Sequence, residues 1–395
     1  MTSDRRTLLL AAAGALILPA PAMAARKKAV RCKGRVNYGG RSLRAQLGDW
    51  QLDAAAKAGT SRLAPVISDS LEAGFEKAAA AMKVRAVTAA VATADGGIWT
   101  QTLAPTSGAA LPTTFFWASV GKAYTATAIL QLVEEGKLTL DAPLSRWAPE
   151  VPGAAWITVE DLLAHTSGLY SFQADPALRA EPGYKPPERL LAVASAQPAA
   201  FCPGAAWSYS NTGYVLLGRI IEALDGRPYH EALTLRVVER LDLRETTVLA
   251  PRQVLKGLAA PVVTAQTDGA SDDVTTSHAA GAVAASAADV VRFWRAVMSN
   301  RLHGAELTRR RFARLYPMAG VGPGYYGLGV MVSDLSAADP NATDTWLGHA
   351  GGLPGAKAVV AYSLEKQAYV AVALTGEGSP EATANLLLSG LPKKT

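Results

Sequence analysis

The feature that most constrains the fold is where strand-forming runs fall along the 395 residues. Two β-rich runs, Arg85 to Ala92 and Gly97 to Leu103, lie early, and Ala94-Asp95-Gly96-Gly97 between them is a hairpin signal. Strand-like runs return in the last third, at Gly327 to Val332, Thr345 to Leu347, Ala356 to Ser363 and Ala368 to Leu374. The middle, from about Leu138 to Gly269, reads as helical and loop-rich. A lone hairpin is marginal in water, so the early strands need the late ones as partners. The pattern predicts an α+β domain whose antiparallel sheet is completed by the C-terminal third, with a mostly helical lobe, about 123–275, inserted between. Helices are predicted from about Pro65 to Met82 and from about Glu381 to Leu388. Apolar residues make up 49% of the chain and charged residues 18%, a globular balance that excludes general disorder. The net charge of +6 is modest, and without a basic helix or a repeated Arg/aromatic pattern it does not point to nucleic acid.

The N-terminus carries a targeting pattern. Arg5-Arg6-Thr7 precedes an apolar run from Leu8 to Leu18, then Ala22-Met23-Ala24, a small-residue cleavage site. The run is too short to span a bilayer, so residues 1–24 read as a signal peptide, twin-arginine-like although Asp4 departs from that pattern. Export to the periplasm or medium is expected. Residues 25–60 form a basic arm, with eight Lys/Arg and no acid between Ala25 and Arg44. A solvated leader is the favoured reading, and a weak contact with anionic envelope surfaces is the other. Cys32 and Cys202 are the only cysteines, and spacing alone leaves one disulfide or two thiols open.

Ser119-Val120-Gly121-Lys122 opens a helix that runs to about Glu135 and stops at Gly136. A serine and a lysine three apart share one helical face, so the amine can take or stabilise the hydroxyl's proton. The motif occurs again at Ser363-Leu364-Glu365-Lys366, at a hairpin tip where the two residues share no helical face. Tyr209-Ser210-Asn211 and His349-Ala350-Gly351 each occur once. Each residue also has an ordinary structural role open to it: a cap for Ser119 or Asn211, core for Tyr209, a turn for His349. His165 reads as part of a helix-end element. No Gly-x-Ser-x-Gly elbow exists, because Trp117 holds the first position. His230-Glu231 lacks the second histidine of a zinc helix, since Thr234 stands there. No metal or cofactor is expected.

Taken in order, Ser119-x-x-Lys122, Tyr209-x-Asn211 and His349-x-Gly351 resemble the three motifs of the serine β-lactamase and penicillin-binding-protein superfamily. The resemblance is closest to the branch of class C β-lactamases, D-alanyl-D-alanine carboxypeptidases and esterases. It includes Leu162 to Leu169, Pro203-Gly204, Trp207 to Asn211 and Gly348 to Gly355, and it covers roughly residues 65–391, within a domain assigned to 61–391. It implies a β-lactamase/transpeptidase-like fold and an acyl-enzyme on Ser119. Lys122 would have a lowered pKa, that nearby cation would favour a Tyr209 phenolate able to act as general base, and which of the two holds the proton at each step stays open. Asn211 would bind the substrate amide. His349, Gly351 and Gly352 would form a strand beside the substrate, with the N–H groups of Ser119 and Gly352 as oxyanion hole. Ala350 stands where relatives carry a hydroxyl for a substrate carboxylate. That favours a broad ester or amide hydrolase over a carboxypeptidase or a β-lactamase. A catalytically silent binding member of the same fold is the alternative of another class. A small molecule or peptide is the expected partner.

Overall fold

A computed structural model describes residues 30, 32–40, 63, 65–93, 97–104, 110–261, 273–318, 324–335 and 344–391. Residues 1–24, read from the sequence as a signal peptide, and residues 94–96, read as a hairpin turn, lie outside the described residues. Helix α1 (Pro65–Ala80) leads into β1 (Lys83–Thr93) and β2 (Ile98–Leu103). Strand β3 (Thr114–Phe116) and a 3-10 turn, Ala118–Val120, precede α2 (Gly121–Glu134). The helical lobe then contains α3 (Val159–Ala164), α4 (Pro187–Ser195) and α5 (Asn211–Asp225), followed by the short strands β4 (Thr246–Val248), β5 (Leu258–Ala259) and β6 (Val283–Ala285). The chain returns to the sheet through α6 (Ala287–Met298), α7 (Ala305–Phe312), β7 (Tyr316–Pro317), β8 (Gly324–Tyr326) and β9 (Met331–Asp334). Last come β10 (Thr345–Leu353), β11 (Ala356–Ser363), β12 (Ala368–Glu377) and α8 (Pro380–Ser389).

The main sheet is antiparallel in the order β2-β1-β12-β11-β10-β9-β8-β7. The early hairpin joins the late strands through β1 and β12, from Lys83 opposite Glu377 to Thr93 opposite Ala368. This is the completion that the strand distribution predicts. Most of β1 is buried on both faces. One face packs under α1 and α8, where Phe75 meets Val87 and Leu387 in one apolar cluster. The other meets α6 and the helical lobe. The alanines of β1 (Ala86, Ala89, Ala90 and Ala92) leave room for helices on both sides.

Helix α2 is the axis of the molecule. Every residue from Gly121 to Leu132 is buried, as expected of a helix enclosed on all sides rather than amphipathic. Its polar members are held by partners: Thr127 donates to Ala123 O at 2.7 Å and Gln131 to Leu302 O at 3.1 Å.

Two strand expectations are corrected. Gly327 to Val332 is not one strand but the turn between β8 and β9 with the start of β9. Gly327 N donates to Val330 O at 2.9 Å, and Gly329 takes φ +67°. A Cβ on Gly327 would stand 2.0 Å from Arg311 O, so the chain bends where only glycine fits. The second sheet, β4-β6-β3-β5, was not anticipated; strands of two or three residues are too short to carry a period.

Candidate active site

The segment ahead of Ser119 is pinned to the small sheet. Trp117 N donates to Val283 O at 3.0 Å, and its indole Nε1 to Ala285 O at 2.9 Å. Ala118 then turns with φ +47°, a left-handed conformation that costs a non-glycine residue about 1–3 kcal/mol. Ser119 follows at the mouth of α2, where it lines a cleft with Gln173, Asn211, Thr276, Gly352 and Leu353.

Lys122 lies one helical turn on and is fully buried. Its Nζ donates to the Ala280 carbonyl at 2.7 Å and stands 3.1 Å from Ser119 Oγ. Burial holds its pKa well below the usual lysine value, because desolvation disfavours the ammonium. Desolvation favours the neutral amine, which can offer Ser119 a lone pair while one of its hydrogens remains on Ala280 O. Ala280 carries no motif; a backbone carbonyl leaves no sequence signal.

Tyr209 is brought to the same place from just ahead of α5. Lys122 Nζ stands 4.9 Å from its ring centroid. Its hydroxyl is buried and has no hydrogen-bond partner among the described residues, although the neighbouring Ser119 hydroxyl favours its ionised form. Burial is the larger effect and pushes its pKa well above the usual phenol value. Burial thus works against the expected phenolate form. The same desolvation also disfavours the Lys122 charge that would help to ionise it.

Asn211 opens α5 and faces the cleft. Its Nδ2 donates to Gln173 Oε1, and its Oδ1 is buried without a partner among the described residues. Strand β10 supplies the opposite wall. It pairs with β9 only from Thr345 to Gly348, so from His349 to Leu353 no described strand occupies that edge. Leu353 pairs with Ala356 across a two-residue turn. Alternation in an antiparallel ladder then turns the Gly352 N–H away from β11, toward that edge beside Ser119. Gly351 lets the strand come close. A Cβ there would stand 2.3 Å from Trp117 O and 2.9 Å from Ser119 N.

His349 does not reach the cleft, which corrects the expectation that it contacts substrate. It is 1% exposed, with Nδ1 2.6 Å from Ala350 O and Nε2 2.9 Å from the Tyr326 hydroxyl. Burial, then repulsion from Lys122, lowers its pKa to about 3. On β10 it lies on the inward face shared with Leu347, so it backs the site. Tyr326 is one of the residues that sequence reading missed, since it belongs to no motif. His165 ends α3 with φ +62°, in keeping with its reading as a helix-end residue. Its Nδ1 accepts from Ser210 N at 3.2 Å, and its ring centroid is 4.3 Å from that of Tyr209. Cys32 and Cys202 form a disulfide.

The chain matches the Beta-lactamase family over residues 74–389. Esterase EstB of Burkholderia gladioli is 37% identical over 150 residues, 34% of this chain and 38% of that protein. The putative penicillin-binding protein PbpX of Bacillus subtilis is 27% identical over 207 residues, 51% of this chain and 50% of that protein. The chain thus matches half or less of the length of these relatives. Among solved structures, a D-stereospecific amidohydrolase from Streptomyces sp. superposes with a TM-score of 0.70 at 28% identity, covering 82% of this chain and 98% of that one. D-amino acid amidase from Ochrobactrum anthropi SV3 superposes with a TM-score of 0.72 at 21% identity, with the same coverage, and shares the fold. The antiparallel sheet flanked by helices, with its helical lobe, is the architecture that the sequence resemblance implied. With the match spanning most of the chain and the fold shared with these structures, this chain belongs to the Beta-lactamase family.

Proposed function

We propose that the protein is a serine hydrolase that works through an acyl-enzyme on Ser119, on ester or amide substrates. The observation that carries this reading is the 3.1 Å approach of a desolvated Lys122 amine to the Ser119 hydroxyl at the cleft. Neutral Lys122 takes the Ser119 proton as Oγ attacks the carbonyl. The N–H groups of Ser119 and Gly352 hold the oxyanion; one such donor is typically worth about 2.7–4 kcal/mol. Neutral Tyr209 gives its proton to the leaving oxygen or nitrogen and regains one from the Lys122 ammonium. Deacylation runs the same transfers in reverse with water as nucleophile. Asn211 receives the substrate's amide side through its unpartnered Oδ1 or its Nδ2.

The esterase relative supports ester substrates, and the Streptomyces amidohydrolase supports amides of D-configured residues as a second reading. Export to an oxidising compartment also belongs to this proposal; the Cys32–Cys202 disulfide supports it, since such bonds persist there. Labelling with a fluorophosphonate, with S119A as control, tests the nucleophile. A panel of a short-chain nitrophenyl ester, a D-amino acid amide, a D-alanyl-D-alanine peptide and a chromogenic cephalosporin ranks the substrates. We expect label on the wild type and turnover of the first two. An unlabelled wild type would leave the silent binding member as the better reading.

A further inference from the structure

We propose that residues 32–40, stapled by the Cys32–Cys202 disulfide, form a strap that positions the Tyr209 phenol and makes turnover depend on that bond. The inference rests on the catalytic reading of Tyr209 given above. Cys202 begins the stretch that leads to Tyr209, and the described part of the basic arm lies along it. Val36 N donates to Pro203 O at 3.0 Å, and Gly39 N to Ala205 O at 2.9 Å. Gly204, at φ +84°, has no room for a side chain, since a Cβ would stand 2.3 Å from Val36 O. The Tyr38 ring rests edge-on against Tyr316, with centroids 5.0 Å apart.

The other side of the stretch is held by the end of α3. Gly204 N donates to Thr166 O at 2.9 Å, and Ser208 N to His165 O at 3.0 Å. The strap reaches this side too. Arg35 spans the carboxylate of Asp161, Nη2 to Oδ1 at 2.7 Å and Nε to Oδ2 at 3.2 Å. Asp161 is fully buried. It also accepts from Thr158 N at 3.0 Å in the capping box that starts α3, and from Thr166 Oγ1 at 2.7 Å beside His165. His165 in turn receives Ser210 N and lies against Tyr209. Among the described residues the Ser119 hydroxyl is a polar neighbour of the phenol, and no hydrogen bond of good geometry holds it. Its place is set by the backbone of 203–210, which is clamped between α3 and the strap.

A dithiol reductant opens the bond. Two electrons and two protons pass to the two sulfurs as two thiols form, and the dithiol becomes a disulfide. The test uses the full chain, with thiol titration to verify two free thiols after reduction. Rates of ester turnover and of fluorophosphonate labelling are read in wild type and in Y209F, each oxidised and reduced. We expect reduction to lower kcat about tenfold in wild type, with KM little changed, and to have no further effect in Y209F. An unchanged wild-type rate after complete reduction overturns the strap. So does an equal loss in wild type and Y209F, which would be a general structural effect. Arg35 variants test the strap without touching the bond. R35A should lose several-fold in kcat and R35K should recover most of it; if R35A keeps full rate, the Arg35–Asp161 link does not position the site. If oxidised Y209F retains full activity, the catalytic reading of Tyr209 fails, an outcome distinct from failure of the strap.

Discussion

The chain contains the same tetrapeptide pattern twice, and the two copies have unrelated structures. At Ser119–Lys122 the residues share one helical face, and the amine meets the hydroxyl at 3.1 Å in a desolvated interior. At Ser363–Lys366 the serine ends β11 and the lysine lies on the turn beyond it. Ser363 Oγ donates to Asp344 Oδ2 at 2.6 Å and accepts from the backbone N of Lys366 at 2.9 Å. The Lys366 amine goes elsewhere, to Leu391 O at 2.8 Å. The second copy ties a turn to the end of a helix. Spacing alone therefore does not make a nucleophile. A helix has to bring the two side chains together, and burial has to strip the charge from the amine.

The sharpest way to break this contrast is to remove each serine. S119A should abolish labelling and reduce turnover by about 10⁵–10⁶-fold, the scale set by nucleophile deletion in other acyl-transfer enzymes. S363A should leave turnover unchanged. Comparable losses in both would erase the distinction.

The lysines come next. K122M should cost about 10⁴-fold in kcat/KM, the upper range for a lost acid–base group, whereas K366M should cost none. The sign of the pH effect follows from the downward shift of Lys122. Its neutral form does the work, so kcat/KM falls as pH drops through the folded-state pKa, which lies below 10.5. His349, lowered to about 3, contributes no limb near neutrality. The unfolded chain binds this proton more readily, so Lys122 weakens folding increasingly as pH falls from the unfolded value toward the folded one. K122M should then raise stability at pH 7 by about 1 kcal/mol while removing activity, a trade-off common at active sites. Denaturant melts at pH 7 and pH 10 check this: the gain should shrink at the higher pH.

Y209F should lose about 10²–10³-fold in turnover. Because the hydroxyl makes no hydrogen bond of good geometry among the described residues, its stability should change by less than about 0.5 kcal/mol. A large fall in the melting temperature would show that the phenol is structural.

Two neighbouring glycines provide the smallest test. G351A drives a Cβ into Trp117 O and Ser119 N and should cost about 10²-fold in turnover, as for a displaced oxyanion donor. G352A meets nothing closer than 3.9 Å and should cost less. The reverse order would mean that β10 does not set the distance to Ser119.

Much of this molecule was legible along the chain. The β-runs that became β11 and β12 and the stop of α2 before Gly136 at φ +68° are local physics with local signatures. The resemblance also marked Ser119, Lys122, Tyr209 and Asn211; the structure puts Ser119 and Asn211 on the cleft, with Lys122 Nζ 3.1 Å from Ser119 Oγ and 4.9 Å from the Tyr209 ring centroid. The misses share a cause. The turn at Gly327–Val330 depends on contact with Arg311, and the strands of the small sheet exist only because they pair with one another.

The sequence by itself determined the long helices and the longer strands of the main sheet, because hydrophobic period, caps and turn residues act over a few neighbours. Tertiary structure alone decided the chemical state of the site. It put Lys122 on the Ala280 carbonyl, buried the Tyr209 hydroxyl so that its pKa rises, drew His349 behind the cleft and joined Cys32 to Cys202 across a separation of 170 residues. Protonation and reach follow from burial and from distances between remote parts of the chain, and neither is written in any local run of residues.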